Sequence, residues 1–325
     1  MADSLAFNNE ILFYNNQFEL YYPDPYNPLD LPPNTVRVRT SDGNPPIKDE
    51  STSYETATLV QGTIDEYDVY KSDGHFGDLL HGSTNVVEVL GANTTGITWM
   101  YGMFAGCTSL TTVALFDTSS VEHMGGMFFD CASLTSVPLF DTSNVTSMFR
   151  LFYRCYSLTS VPLFDTSNVT SMSYMFYYCT SLTSVPQFNT SNVLDMQYML
   201  ASCNLLTSVP QFNTSNVTNM DRMLFYCSSL TSVPLFDTSK VTNMHDMCRN
   251  CTSITTVPLL DTSSVINMNY TFYNCTNVQA GALALYNQAS TQTTPPTDHY
   301  QTFWHCGYDT TTGAAELAQI PSDWK

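Results

Sequence analysis

The sequence has little positive charge. It contains 10 Lys and Arg against 29 Asp and Glu, its formal net charge is −19, and only 12% of its residues are charged. Proteins that bind nucleic acid or anionic membrane surfaces carry clusters of Lys and Arg, because phosphate groups are negative. We therefore expect no nucleic-acid partner.

Long apolar stretches are also missing. No run of 18 apolar residues occurs, so we expect no membrane insertion. The segment from Met1 to Phe7 has neither a basic start nor an apolar stretch, and we expect no secretion signal.

Motifs that would indicate catalysis are absent. There is no glycine-rich phosphate loop, no nucleophile elbow and no His-Glu-x-x-His pattern. His299, His305 and Cys306 form the only local group of metal-ligand types, and no second Cys pair lies at zinc-ligand spacing. We expect a protein that is not an enzyme, with no catalytic residue, no metal site and no cofactor.

What the sequence does contain is a strict repeat. Cysteines recur every 24 residues, at Cys107, Cys131, Cys155, Cys179, Cys203, Cys227, Cys251 and Cys275. A fixed period of this length is typical of a repeat solenoid, in which each unit stacks only on its neighbours. Equivalent cysteines would point inward in the same direction, which is poor geometry for disulfides, so we expect buried free thiols.

One repeat unit, Cys131 to Arg154, shows the pattern of a coil. Its segment Leu-Thr-Ser-Val-Pro, Leu134 to Pro138, is short and ended by proline, which predicts one parallel strand per coil. The segment from Val145 to Phe152 has apolar residues three and four apart, which predicts a helical or 3₁₀ return leg. The methionines of this leg recur every 24 residues, and we interpret them as core filler rather than as copper ligands.

Between these segments lies a polar corner, Asp141 to Asn144. Asp and Ser side chains bond to nearby backbone amides, which turns the chain. Asn189 and Asn213 replace Asp in two copies, so the position requires an acceptor oxygen rather than a charge. One carboxylate per corner is a poor calcium site. Whether an ion binds in these corners stays open.

The flanks differ from the repeat and define four regions. Residues 1–30 form an aromatic-rich segment that we interpret as an attachment end, with a predicted hairpin between Ile11 and Tyr22. Residues 31–82 predict a small β region, with strands at Val36–Arg39, Thr58–Val60 and Tyr67–Tyr70. Residues 83–278 hold about eight coils, the first of them degenerate with Ser83 in place of Cys. Residues 279–325 predict a helical cap with helices near Gly281–Tyr286 and Gly313–Gln319.

Positions that change between copies lie on the return leg. Tyr, Arg, Asn, Asp and Ser dominate there, as they do in binding surfaces, where rigid rings give contact area at small entropic cost. Outward positions of any repeat also vary freely, so a stripe that binds nothing remains an alternative. The candidate ligand-binding residues are Arg150, Arg154, Tyr174, Tyr178, Tyr198, Arg222, Tyr226, His245 and Tyr270.

The unit from Met175 to Met196, with Met-Phe-x-x-Cys, Ser-Leu-Thr-Ser-Val-Pro and Thr-Ser-Asn-Val, resembles the repeat of BspA-like leucine-rich repeat surface proteins. This resemblance covers about residues 83–278 and implies a leucine-rich-repeat-like, β-dominated solenoid used in adhesion or partner binding. The flanks, Leu31–Val38 and Gly281–Tyr286, are similar to those of related proteins from gut bacteria and prophages.

These observations predict a non-enzymatic recognition protein. We expect it to bind a cell-surface glycan or protein and to be displayed on a phage particle as a receptor-binding or fibre-like component. The alternatives are a bacterial surface adhesin and a purely structural virion or decoration protein. The N-terminal region would contact a virion assembly partner or a second copy of the chain.

Overall fold

The structure, a computed structural model, describes residues 31–47 and 54–325. The predicted attachment segment 1–30 and its hairpin lie outside the described residues. The regular elements are β1 (Thr35–Thr40), β2 (Thr56–Leu59), β3 (Glu66–Tyr70), β4 (Val86–Asn93), β5 (Thr112–Val113), α1 (Ala282–Thr291) and α2 (Thr311–Gln319). No helix in these ranges has the length and apolar character needed to cross a membrane.

The N-terminal strands form one sheet with the first coils. The strand order is β2-β3-β1-β4-β5, antiparallel except for the parallel pair β4–β5. The strands predicted at 36–39, 58–60 and 67–70 coincide with β1, β2 and β3 within a few residues. Val36 and Val38 of β1 are fully buried, and Arg37 between them bonds to Asp68 of β3 at 2.7 and 3.0 Å. The sheet therefore joins the β region to the coils without a break at residue 82.

Beyond the sheet, the 24-residue units stack through their return legs. We use this term for the residues from the first Met to the Cys of each unit, such as Met148–Cys155. Every second amide of this leg donates to the next unit: Met148 to Ser171, Arg150 to Ser173, Phe152 to Met175 and Arg154 to Tyr177, at 2.7–3.1 Å. The same pattern repeats from one unit to the next along the chain.

The return legs are chains of turns, so the predicted helical or 3₁₀ conformation is wrong. The remaining amides bond three residues back, from Leu151 to Met148 and from Tyr153 to Arg150. Arg150 and Arg154 have left-handed backbones, with φ of 56° and 59°. A 3₁₀ helix would direct every amide along its own axis, which would leave no donor for the next unit.

The prediction of one parallel strand per coil is also wrong after the second coil. β5 pairs with β4, and there Ala114 donates its amide to Val89 at 2.8 Å. Later coils have proline at this position, such as Pro138, and proline has no amide hydrogen. The described part of those coils keeps an extended leg with a sparse bond such as Thr159 to Thr135 at 3.2 Å, without a ladder.

The polar corners turn the chain and tie neighbouring coils. Asp141 accepts hydrogen bonds from the amide and hydroxyl of Ser143, which lower the pKa of its carboxyl. Thr142 donates to the carbonyl of Asp165, and Asn144 donates to the carbonyl of Ser119. Each polar group therefore has a structural partner. Within the described ranges, no three His, Cys, Asp or Glu side chains gather where they could hold a metal ion.

The core is a set of parallel rows that run from coil to coil. Phe128, Phe152 and Phe176 stack with ring centroids 5.6–5.7 Å apart. The ten described cysteines are free and buried, as predicted for the ladder. Their thiols also donate to backbone carbonyls, as Cys131 does to Phe104 at 3.1 Å. Burial raises the pKa of Cys107 to about 12 and keeps the thiol neutral.

The C-terminal cap contains the two predicted helices and one leg that the sequence interpretation missed. α1 and α2 lie where helices were expected. Between them the chain adds a ninth return leg, in which Met268 donates to Asp298 and Phe272 to Thr302. The signal is present in the sequence, since Thr302-Phe303-x-x-Cys306 matches Thr271-Phe272-x-x-Cys275. Cys306 is therefore a buried rung of the cysteine ladder.

The cysteine ladder gives a test of the register. Cys179→Arg puts an unpaired charge into a fully buried position, and we expect it to lower the free energy of unfolding by more than about 4 kcal/mol. Cys179→Ser is the matched control, because a hydroxyl can still donate to the carbonyl of Phe152, and it should cost about 1 kcal/mol. Urea unfolding followed by circular dichroism measures both. An Arg variant as stable as the parent would show that the ladder is not buried.

The left-handed positions give a second test. Tyr226 has φ of 59° and is 46% exposed. Tyr226→Gly removes a conformational cost of about 1–2 kcal/mol and should leave the protein at least as stable as the parent. Tyr226→Val places a β-branched residue there and should be less stable than the Gly variant by about 1–2 kcal/mol. Equal melting temperatures for the two variants would contradict the turn geometry.

Candidate functional site

The candidate residues lie on the outward side of the return legs, a surface that we call the stripe. All of them except His245 occupy the two left-handed positions of their legs, with φ between 53° and 61°. The equivalent residues of the first coils are Gly102, Gly106 and Gly126, and two of the last coils have Asn250 and Asn274. Glycine and asparagine are the usual residues at positive φ, so this was the sequence signal for left-handed turns that the interpretation missed.

Tyr and Arg at these positions have a conformational cost. A left-handed residue other than glycine costs roughly 1–2 kcal/mol, and the stripe repeats this cost from coil to coil. Backbone strain held at exposed or half-buried aromatic and cationic side chains is typical of functional surfaces. The stripe therefore differs from a surface that varies without constraint.

The first part of the stripe is an aromatic and arginine cluster. Tyr174 and Tyr198 stack with centroids 4.6 Å apart and planes 10° from parallel. Tyr177 meets both rings edge-on, at 5.8 and 5.3 Å. The guanidinium of Arg150 lies 5.3 Å from the Tyr174 ring, and that of Arg222 lies 5.2 Å from the Tyr198 ring. These contacts fix the rings in place before any ligand binds.

A charged cluster follows in the next two coils. Asp221 and Asp246 are 5% and 2% exposed. Arg222 bonds to both carboxylates at 3.1 and 3.0 Å, and His245 Nδ1 lies 3.0 Å from Asp221 and 3.3 Å from Asp246. Arg249 also reaches Asp246, at 3.2 Å.

The carboxylate of Asp221 stays ionised in this cluster. Burial alone would raise its pKa, but hydrogen bonds from His245 and Gln197, together with the charge of Arg222, outweigh burial and lower it. Gln197 donates to Asp221 at 2.8 Å. Because each charge is paired, this region is a rigid polar surface. It brings together no nucleophile with a free base.

The remaining candidate residues stand apart from these two clusters. Arg154, Tyr178 and Tyr226 lie in the outer of the two left-handed columns and are exposed. Tyr270 lies beyond the charged cluster, where it meets Tyr273 and Tyr300 edge-on at 5.7 and 5.6 Å. The structure therefore arranges the candidates as a long surface without a central cavity. Tyr177, Asp221, Asp246 and Arg249 belong to the same surface and were not among the candidates.

Comparison with solved structures finds two distant similarities. A leucine-rich repeat protein from Eubacterium ventriosum matches with 13% identity over 63% of this chain and 79% of its own, at a TM-score of 0.29. A leucine rich cell surface protein from Faecalibacterium prausnitzii matches with 16% identity over 74% of this chain and 90% of its own, at a TM-score of 0.23. At these TM-scores neither structure bears on the geometry of the stripe. No curated protein matches the chain.

A family match covers the repeat region itself. The family described as "Mycoplasma protein of unknown function, DUF285" matches residues 75–185 and 179–285. Together these segments take in the stacked return legs from the first to the eighth and more than half of the 325-residue chain. The chain therefore belongs to the DUF285 family.

Proposed function

We propose that this protein is a non-enzymatic surface recognition protein that binds a cell-surface glycan or protein through the stripe. In this proposal the stacked repeats are a leucine-rich-repeat-like solenoid that serves as a rigid support. The observation that carries the proposal is the occupation of left-handed backbone positions by Tyr and Arg. A repeat that needed only to stack would be more stable with Gly or Asn there.

The chemistry of the stripe supports this role. Stacked Tyr rings and guanidinium groups are the side chains that contribute most to binding free energy in protein interfaces. Contacts among Tyr174, Tyr198 and Arg222 hold these groups in place, which reduces the entropy lost when a ligand binds. The cationic groups are few in a chain of net charge −19, and their concentration on the stripe gives it a distinct electrostatic character.

A binding experiment tests the stripe. Fluorescent protein is added to a panel of intact bacterial and epithelial cells, beside a variant with Tyr174, Tyr198 and Arg222 changed to Ser. We expect selective binding by the parent and a loss of at least about tenfold in the variant, because such residues contribute 2 kcal/mol or more.

The matched control changes three exposed residues of the extended leg, Leu139, Leu163 and Leu235, to Ser. This control should bind like the parent. A second variant, Tyr178→Gly with Tyr226→Gly, removes exposed rings without touching the charged cluster. Binding that survives every stripe change while the fold is intact would contradict the proposal. No binding by the parent would favour a purely structural component.

We further propose that the protein is displayed on a phage particle as a receptor-binding or fibre-like component. The support is the similarity of its flanks to those of prophage-encoded proteins. The alternative is a bacterial surface adhesin. Antibody detection after induction of the producing strain separates the two. We expect the protein to copurify with virions through a density gradient, whereas an adhesin would remain with the cell envelope.

A further inference from the structure

A groove of about 320 Å³ lies at the N-terminal end of the stripe, outside the candidate residues. Trp99 and Tyr101 form one end, His123 and Gly125 the middle, and Phe149 and Ser147 the next coil. Trp99 and Tyr101 are 40% and 39% exposed although their rings contact neighbours. The volume lies at the lower end of the range for small-molecule sites, about 300–1,000 Å³.

The groove is where a repeated capping bond fails. In six return legs, the residue before the first Met caps the leg, because its side-chain oxygen accepts the amide hydrogen two residues later. Examples are Ser147 with the amide of Phe149, Asp195 with Gln197 and Asn219 with Asp221, at 3.0–3.3 Å. Trp99 and His123 occupy this position in the first two legs, and neither has an oxygen to offer.

The amides of Tyr101 and Gly125 are consequently unpaired. Across residues 31–47 and 54–325, no group accepts a hydrogen bond from either amide. Gly125 is itself buried. An unpaired buried amide costs about 1–3 kcal/mol, so two such donors beside one groove are unusual in a repeat that pairs the same amides elsewhere. In the other legs these amides point toward the capping side chain, which here means toward Trp99 and His123 and the groove between them.

Gly125 keeps the groove open. Equivalent residues in other legs include Phe149, Gln197 and His245, and the backbone at Gly125 is not left-handed, so the turn does not require glycine. A Cβ atom at Gly125 would lie 3.0 Å from the Tyr101 ring. The absence of a side chain therefore shapes the space beside Tyr101.

The lining identifies the class of ligand. It combines aromatic faces with hydroxyls, an imidazole and unpaired amides, and it contains no carboxylate or ammonium group in a chain of net charge −19. Aromatic faces are electronegative and attract the C–H groups of a sugar ring, and hydroxyls and amides complete the hydrogen bonding of its substituents. We propose that this groove binds a neutral pyranose sugar. The proposal rests on the recognition function proposed above and gives the ligand class for the N-terminal end of that surface.

A titration with defined sugars tests the groove directly. The probes are methyl glycosides of glucose, galactose, mannose, N-acetylglucosamine and N-acetylgalactosamine, with sialic acid as the charged comparison. Binding is followed by saturation-transfer NMR and by calorimetry on the full chain. We expect at least one neutral glycoside to bind and sialic acid to bind at least about tenfold more weakly.

Two variants locate the site. Gly125→Gln fills the groove with the residue that another leg carries at position 197, and Trp99→Ala removes an aromatic face. Each should weaken the neutral glycoside at least about tenfold without lowering the melting temperature of the coils. Gly126→Asn is the matched control, because this neighbouring position is left-handed and lies outside the groove lining, and it should bind like the parent.

The outcomes separate this proposal from the function of the stripe. The variant with Tyr174, Tyr198 and Arg222 changed to Ser should retain glycoside binding even where it has lost cell binding. Failure of every neutral glycoside to bind overturns the sugar groove and leaves the stripe proposal standing. Binding that Gly125→Gln does not weaken, or a preference for sialic acid or for an aromatic peptide, also overturns it.

Discussion

Hydrogen bonds from every second amide of one return leg to the next unit are the constraint on which the other features of this structure depend. To aim alternate amides along the stack, each leg must be built from turns, and the turns place two residues per coil in the left-handed region. The amides between them close the turns within the leg. The stack is therefore stabilised mainly by its return legs, on the side that also carries the variable residues.

This division of labour explains the rest of the coil. The extended leg needs no ladder, so proline is tolerated there, and its β-branched and Leu residues contribute chiefly by burial. The corners contribute side-chain bonds between neighbours, from Thr142 to Asp165 and from Asn144 to Ser119. Cysteine adds a thiol donor inside the core, and its small size lets the Phe and Met rows pack at the spacing of the coils.

The functional surface follows from the same geometry. Left-handed residues project their side chains outward in columns, one step per coil, so that Tyr174 and Tyr198 stack and Arg222 reaches the next ring. Where two carboxylates enter these columns, at Asp221 and Asp246, two arginines and a histidine surround them. Where the capping oxygen is replaced by an aromatic ring, at Trp99 and His123, the surface opens into a groove. Two distinct binding chemistries can therefore occupy one repeated backbone.

The sequence by itself determined the period, the buried rows, the free cysteines, the corner bonds, the first strands and the two C-terminal helices. These features depend on local chemistry and on a repeat that can be read directly. Tertiary structure decided which leg forms the hydrogen bonds between coils, because apolar spacings of three and four fit a turn chain as well as a 3₁₀ helix. It also decided which outward residues meet, since Tyr174 and Tyr198 are 24 residues apart and touch only through stacking. The ninth leg around Cys306 was hidden by the insertion of α1, which breaks the 24-residue period while the hydrogen-bond pattern continues across it.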